Sequence, residues 1–270
     1  MIDVKNIHLS PEELEKCMEF SRTSAPNQQS IEFGQRTTKP RSIREISRDN
    51  LIGKIAEVAF SKIMKENYEI DVPLDFNYYP RGKWDDQDTV INGWRIDVKG
   101  TRIGGHWMLI EWNKLDFRQK DRNLSHVYVM FSVDWDRDKD YPSGLVRFEG
   151  VASLEKLQHN CQTTLSLSKG SAIPGTQMPL QADNYGIHFR NLNNDLDSFV
   201  KYITECAPPD NLTNQYPNPY TGEIIAEACL GMESIIEKPE CKNLVVEKDE
   251  KQNQKNFRDS FLKWIKKAFT

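Results

Sequence analysis

The sequence predicts an α/β fold with helices on either side of a β-rich middle, and three observations carry that prediction. A capped helical segment opens the chain and a strongly periodic apolar helix follows it. An Asn92-Gly93 pair then sits between alternating apolar residues, the strongest short-range signal for a two-residue β-hairpin. Three further β-rich stretches come after the hairpin, and helical patterns return towards the C-terminus.

In order, Ser10-Pro11-Glu12-Glu13 reads as a helix start, with Ser10 as N-cap, Pro11 in the first turn and Glu13 closing a capping box. This helix is expected to run to about Arg22, with residues 23–42 polar and irregular. Within 33–48, Arg36, Lys39, Arg41, Arg44 and Arg48 stand against the single acid Glu45, which suits either a phosphate-facing arm or a solvated loop. A helix over roughly 50–66 follows from the 3.6-residue stripe of Leu51, Ile52, Ile55, Val58, Ala59 and Ile63. Glu57 lies in its least polar window, where an unpaired carboxylate is expensive to bury. It must therefore reach a helix edge or face a cation.

If Asn92 and Gly93 form the loop, Ile91 faces Trp94, Thr89 faces Ile96 and Asp88 faces Asp97. Alternation then puts Thr89, Ile91, Trp94, Ile96 and Val98 on a core-facing side, and Asp86, Asp88, Arg95, Asp97 and Lys99 on the other. Opposed carboxylates destabilise a sheet unless something offsets them. Pairing with Lys99 and Arg95 would do so. So would a divalent cation, since hard metals take oxygen ligands from one or two carboxylates plus water and phosphate.

Strands are expected at Trp107–Trp112, Val127–Val133 and Gly144–Val151, a short helix at 153–158, and a long loop or insertion over 160–184. A last strand at Tyr185–Arg190 and a helix at Leu192–Thr204 complete the middle of the chain. Pro208, Pro209, Pro217 and Pro219 mark a linker, residues 221–237 have some helical character, and Phe257, Phe261, Trp264, Ile265 and Phe269 line one face of a final amphipathic helix. Asp134–Asp140 has alternating acids, but Lys139 and Leu145 stand where a calcium loop needs Gly and Glu, so an inter-strand acidic loop is expected.

The chain of 270 residues is 38% hydrophobic and 28% charged, ordinary for a globular protein, and its net charge of −4 makes any nucleic-acid-binding surface a local one. Neither a signal peptide nor a membrane-spanning run is evident, and five scattered cysteines without CxxC spacing suit a reducing compartment, so the expected location is cytoplasmic. No Walker loop, dinucleotide fingerprint or nucleophile elbow is present.

Gly53-x-x-x-Glu57 on the first strong helix, Asp88 with Thr89-Val90-Ile91-Asn92-Gly93, and Ile96-Asp97-Val98-Lys99-Gly100 together resemble the PD-(D/E)XK nuclease superfamily, which includes type II restriction endonucleases. The resemblance spans about 43–205, and Gln87 replaces the proline that often precedes the first acid. It implies a restriction-endonuclease-like core with a central mixed β-sheet flanked by helices over 43–205. An N-terminal helix and arm (1–42) and a linker with a C-terminal helical segment (206–270) would extend it. It further implies a catalytic set of Glu57, Asp88, Asp97 and Lys99, with Mg²⁺ (or Mn²⁺) held by Asp88, Asp97, the Val98 carbonyl and Glu57, directly or through water.

Lys99 beside two acids is expected to stay charged and stabilise negative charge rather than act as a free base. Asp86 is a rival or additional ligand. Arg95 and Arg102 are candidates to meet phosphate, although Arg95 equally suits offsetting Asp97. His106 suits substrate contact or a plain turn, Glu111 on the next strand suits a place behind the site's ligands or the surface, and Trp84 and Trp107 are candidates to stack on bases. The implied activity is endonucleolytic cleavage of DNA, with a homodimer as the usual assembly. The alternatives are a non-catalytic nucleic-acid-binding module with this fold, or an RNA- or junction-directed nuclease.

Overall fold

Ser42 opens the longest helix among the described residues, α2 (Ile43–Tyr68), through a reciprocal capping box with Glu45. In the computed structural model, residues 1–28, 41–78, 88–111, 125–159, 163–208, 216–217 and 224–226 are described. The helix begins seven residues before the start suggested by its apolar stripe, because the cap lies in the basic stretch that read as irregular. Arg41 and Arg44 are engaged there by Asp49 and Asp140 at 2.7 and 2.5 Å. Arg36 and Lys39 fall outside the described residues.

The first helix, α1 (Pro11–Gln28), starts as expected: Ser10 N–H donates to Glu13 Oε2 and Glu13 N–H to Ser10 Oγ. It passes Arg22 and contains Pro26. Small residues explain the extension. Ser21, Ser24 and Ala25 are buried, and Asn50 Nδ2 donates to Ser24 Oγ while Ser47 Oγ donates to Ser21 Oγ. Close packing on α2 thus stabilises turns that propensity alone would leave frayed.

Strands β1 (Ile7–His8), β2 (Thr89–Ile91), β3 (Trp94–Arg102), β5 (Val127–Asp136) and β6 (Tyr141–Ser153) form one five-stranded sheet, in the order β1-β6-β5-β3-β2. β3 and β5 are parallel and the other pairs antiparallel, so the sheet is mixed. β4 (Trp107–Glu111), β7 (Thr164–Leu167) and β8 (Asn184–His188) make a separate antiparallel sheet in the order β4-β8-β7. The Trp107 stretch therefore does not join the central sheet, because β3 pairs directly with β5 and leaves no place between them.

The five-stranded sheet is the middle layer. Ile96, Val98, Val129 and Phe131 face α2 and α4 (Leu196–Glu205) through one apolar cluster, which also takes in Leu14, Cys17 and Met18 of α1. Tyr128, Met130 and Ala152 face Met108, Ile110, Tyr185 and Ile187 of the second sheet through another. Coverage on both faces explains why β5 reads as a continuous apolar run rather than an alternating one. Ile7 of β1 and Leu14, Cys17 and Met18 of α1 share this packing with the elements that follow residue 43.

Three smaller expectations need revision. The 160–184 stretch contains β7, whose pairing on β8 gives it an ordered place. The short helix is α3 (Leu154–His159), one residue later than read. Within 221–237, Ile224–Ala226 is a strand (β10) paired with Tyr216–Pro217 (β9), as its paired isoleucines favour. The expected amphipathic helix over 257–269 lies outside the described residues. Asp134–Asp140 spans the end of β5 and its turn into β6, where Asp136 accepts N–H bonds from Asp138 and Lys139. No helix among the described residues is long and apolar enough to cross a membrane.

Candidate active site

The hairpin carries the site. Asn92 and Gly93 both have positive φ, 49° and 82°, the conformation that a tight primed turn requires. Pairing is Ile91 with Trp94, Val90 with Arg95 and Thr89 with Ile96, the register expected from the turn. Thr89, Ile91, Trp94, Ile96 and Val98 are buried, while Arg95, Asp97 and Lys99 on the opposite face are half-buried.

Regular pairing in β2 stops at Thr89, and the side chain of Asp88 continues it. Asp88 Oδ2 accepts the Val98 N–H at 2.5 Å, so a carboxylate occupies the ladder position that a backbone carbonyl would otherwise fill. In a strand, the N–H and C=O of one residue point to the same side. Val98 therefore directs its carbonyl towards Asp88 as well.

Asp97 and Lys99, two residues apart on one face, form an ion pair through Oδ1 and Nζ. Burial, and next the charge of Asp97, push the Asp88 carboxyl well above the usual carboxylate range, while Lys99 pulls it back and Glu57 adds to the rise. Burial alone would depress Lys99, but the charges of Asp97 and Asp88 outweigh it and hold the amine above the usual lysine range. Lys99 is thus a cation beside two acids, as expected from the sequence.

Two further residues border this group. Asp97 lies beside Tyr128 in the parallel register, and burial followed by the Asp97 charge pushes the Tyr128 hydroxyl up. Glu111, the last residue of β4, acts on Lys99 from the second sheet, and its Oε2 is buried with no hydrogen-bond partner among the described residues. Its closeness could not be read from sequence, because it depends on how the second sheet lies over the first.

Glu57 resolves the alternative posed by its apolar surroundings: it faces a cation, Lys54 of its own helix, at 2.5 Å. Lys54 is buried, and sequence reasoning passed over it. The available signal was a second charged residue, three positions away, in the same apolar window. Among the described residues, no group of three or more His, Cys, Asp or Glu side chains is placed to hold a metal ion. Asp88 and Asp97 stand together; Glu57 acts on Asp88 through its charge but does not complete a cage.

The remaining candidates divide. Arg95 is on the site face, and its charge acts on Tyr128 and His126. Arg102 is exposed at the end of β3, beyond the acids. His106 stacks on His188 with ring centroids 6.0 Å apart, and Trp107 meets His188 edge to face at 5.2 Å, so both belong to an aromatic group on the second sheet. Trp94 is core, donating from Nε1 to the Cys206 carbonyl. Asp86 and Trp84 fall outside the described residues.

The donor set suits a hard cation. Two carboxylates share one edge, one of them raised by burial and then by the other's charge, and the Glu111 Oε2 nearby has no hydrogen-bond partner among the described residues. A small divalent ion needs only one or two carboxylates, with water for the rest. Comparison with protein-family models, curated proteins and solved structures finds no match to this chain.

Proposed function

We propose that the chain is a divalent-metal-dependent endonuclease of the PD-(D/E)XK type that hydrolyses phosphodiester bonds in DNA, of the kind used in restriction or phage defence. The observation that supports it most is the apposition of Asp88 and Asp97, with Lys99 beside them, at the edge where β2 ends. Two half-buried acids with one amine leave negative charge that a divalent ion would neutralise.

Asp88, Asp97 and the Val98 carbonyl would hold Mg²⁺ or Mn²⁺, with Glu57 contributing through water. When bound, such an ion supplies Lewis-acid polarisation of a phosphoryl oxygen and a more acidic bound water. The ammonium of Lys99, held by Asp97, meets negative charge developing on phosphate oxygens; a cation already oriented needs no reorganisation during reaction. Arg95, on the same face, approaches a neighbouring phosphate. A homodimer would bring two such sites to the two strands of a duplex.

The test offers plasmid DNA, single-stranded RNA and a four-way junction side by side with Mg²⁺, Mn²⁺ or EDTA, using wild-type protein and Lys99→Ala. Cleavage lost in EDTA and in the variant supports the reading, and the preferred substrate identifies the class. Binding of nucleic acid without cleavage under any divalent ion would instead assign a non-catalytic module, and sedimentation of the protein with and without DNA tests the dimer.

A further inference from the structure

Lys54 is the most deeply buried lysine described, its side chain only 6% exposed. Its ammonium is caged on several sides. It contacts Glu57 Oε2 at 2.5 Å, donates to the Asp75 carbonyl at 2.7 Å, and lies 4.5 and 5.5 Å from the ring centroids of Phe20 and Phe76. Carboxylate, carbonyl and two aromatic faces are the groups that stabilise a cation away from water. A salt bridge buried only for stability is often matched or bettered by apolar residues, so this cage invites a functional reading.

That reading follows from what Lys54 touches. Glu57 is the third carboxylate of the candidate site, and its charge reaches Asp88. Yet its Oε2 is held by Lys54, and no three acids are assembled among the described residues. We propose that Lys54 is an internal counter-cation that holds Glu57 back from Asp88 and Asp97 until a divalent ion competes for it, and so sets the affinity and selectivity of the site for that ion. The inference rests on the proposed metal-dependent function. Lys54 here is a positioning residue, one that neither touches substrate nor binds the ion.

The cage also gives Lys54 a structural anchor on α1 through Phe20 and on the 70–78 segment through Asp75 and Phe76. A merely structural lysine would lower the melting temperature when replaced and leave ion affinity alone. Replacing a counter-cation changes the affinity itself, because the Lys54 ammonium no longer offsets the Glu57 charge near the acids.

Full-length protein stripped with chelator is titrated with Mn²⁺, and free ion is read by electron paramagnetic resonance. Lys54→Met is expected to tighten Mn²⁺ binding by about tenfold or more, the lower range of what a charge a few ångströms away does to a neighbouring ionisable group. Glu57→Gln should remove that gain, so that the double variant binds like Glu57→Gln alone. Wild-type binding with Lys54→Met unchanged overturns the inference and leaves the proposed function standing. Absence of Mn²⁺ binding in both proteins overturns the two together. Should Lys54→Met fail to fold, the wild type suffices. In protein labelled with ¹⁵N-lysine, the slowly exchanging Lys54 ammonium signal is expected to shift with added Mg²⁺ along the binding curve, and a signal unmoved at saturation overturns the inference.

Discussion

The carbonyl oxygen of Ile52 on α2 lies 2.7 Å from where a Cβ on Gly100 would stand, and the Ile52 Cγ2 lies 3.0 Å away. Helix and strand are therefore in backbone contact one residue beyond Lys99. This contact sets how near α2, and with it Glu57, comes to the acids of the hairpin. Gly100→Ala is expected to push α2 outward, costing about 1–3 kcal/mol of stability and weakening Mn²⁺ binding. Denaturant unfolding and ion titration check the two effects, and a variant with wild-type values for both would show that the contact is not a constraint.

Lys99 is the test of the chemistry. Replacement by Met keeps the stem and removes the charge, and should lower the cleavage rate roughly 100-fold or more, the scale of losing one preorganised transition-state donor. Ion affinity should rise or stay level, because a competing positive charge is gone. Single-turnover cleavage and Mn²⁺ titration separate these, and equal losses in both would assign Lys99 to folding.

Asp88→Asn should stabilise the protein in EDTA while abolishing cleavage. The native carboxyl is held above its unfolded value, so the folded state binds the proton more tightly. Stability attributable to this proton is present below the unfolded carboxylate range and lost as pH rises through the raised native value. At neutral pH the ionised acid is therefore a liability. Replacing the carboxyl by an amide removes that penalty, so the variant is expected to be the more stable protein at neutral pH. Melting curves with chelator at pH 5 and 7.5 check it; a variant less stable than wild type at pH 7.5 contradicts the account.

His126 predicts the opposite slope. Burial, then the charge of Arg95, bring its imidazole down to about 4, and its Nδ1 accepts the Arg95 N–H. Unfolded His126 binds a proton near its ordinary pKa, whereas the folded side chain resists it. Stability from this group is complete above pH 6.5 and is lost on acidification towards pH 4, by about 2 kcal/mol once solvent screening is allowed for. Chemical denaturation across that range, with a His126→Gln comparison, should show the slope flatten in the variant.

Asn92 joins the hairpin turn to the end of α4, its Nδ2 placed within 3.2–3.3 Å of the carbonyls of Ile203, Thr204 and Cys206. It also tolerates its left-handed φ better than most residues. Asn92→Ala should cost about 1–2 kcal/mol without altering ion affinity. Matched melting and Mn²⁺ data test this, and a change in affinity would mean that the turn, and not only the register, controls the acids.

What the sequence by itself determined is local. The Asn92-Gly93 turn and period-two alternation are enough to pair Thr89 with Ile96 and to put Asp97 and Lys99 on one face. Ser10, Pro11 and Glu13 likewise announce α1 within four residues. These features depend on neighbours along the chain, where turn geometry and capping bonds act.

Only the tertiary structure decided the rest. β4 leaves the central sheet because β3 and β5 pair directly, which brings Glu111 over Lys99 from another layer. Lys54 is caged by Phe20, Asp75 and Phe76, residues distant in sequence, and takes up the carboxylate of Glu57. Such placements come from packing two apolar faces of one sheet against different partners, and no short-range pattern encodes which partner will arrive.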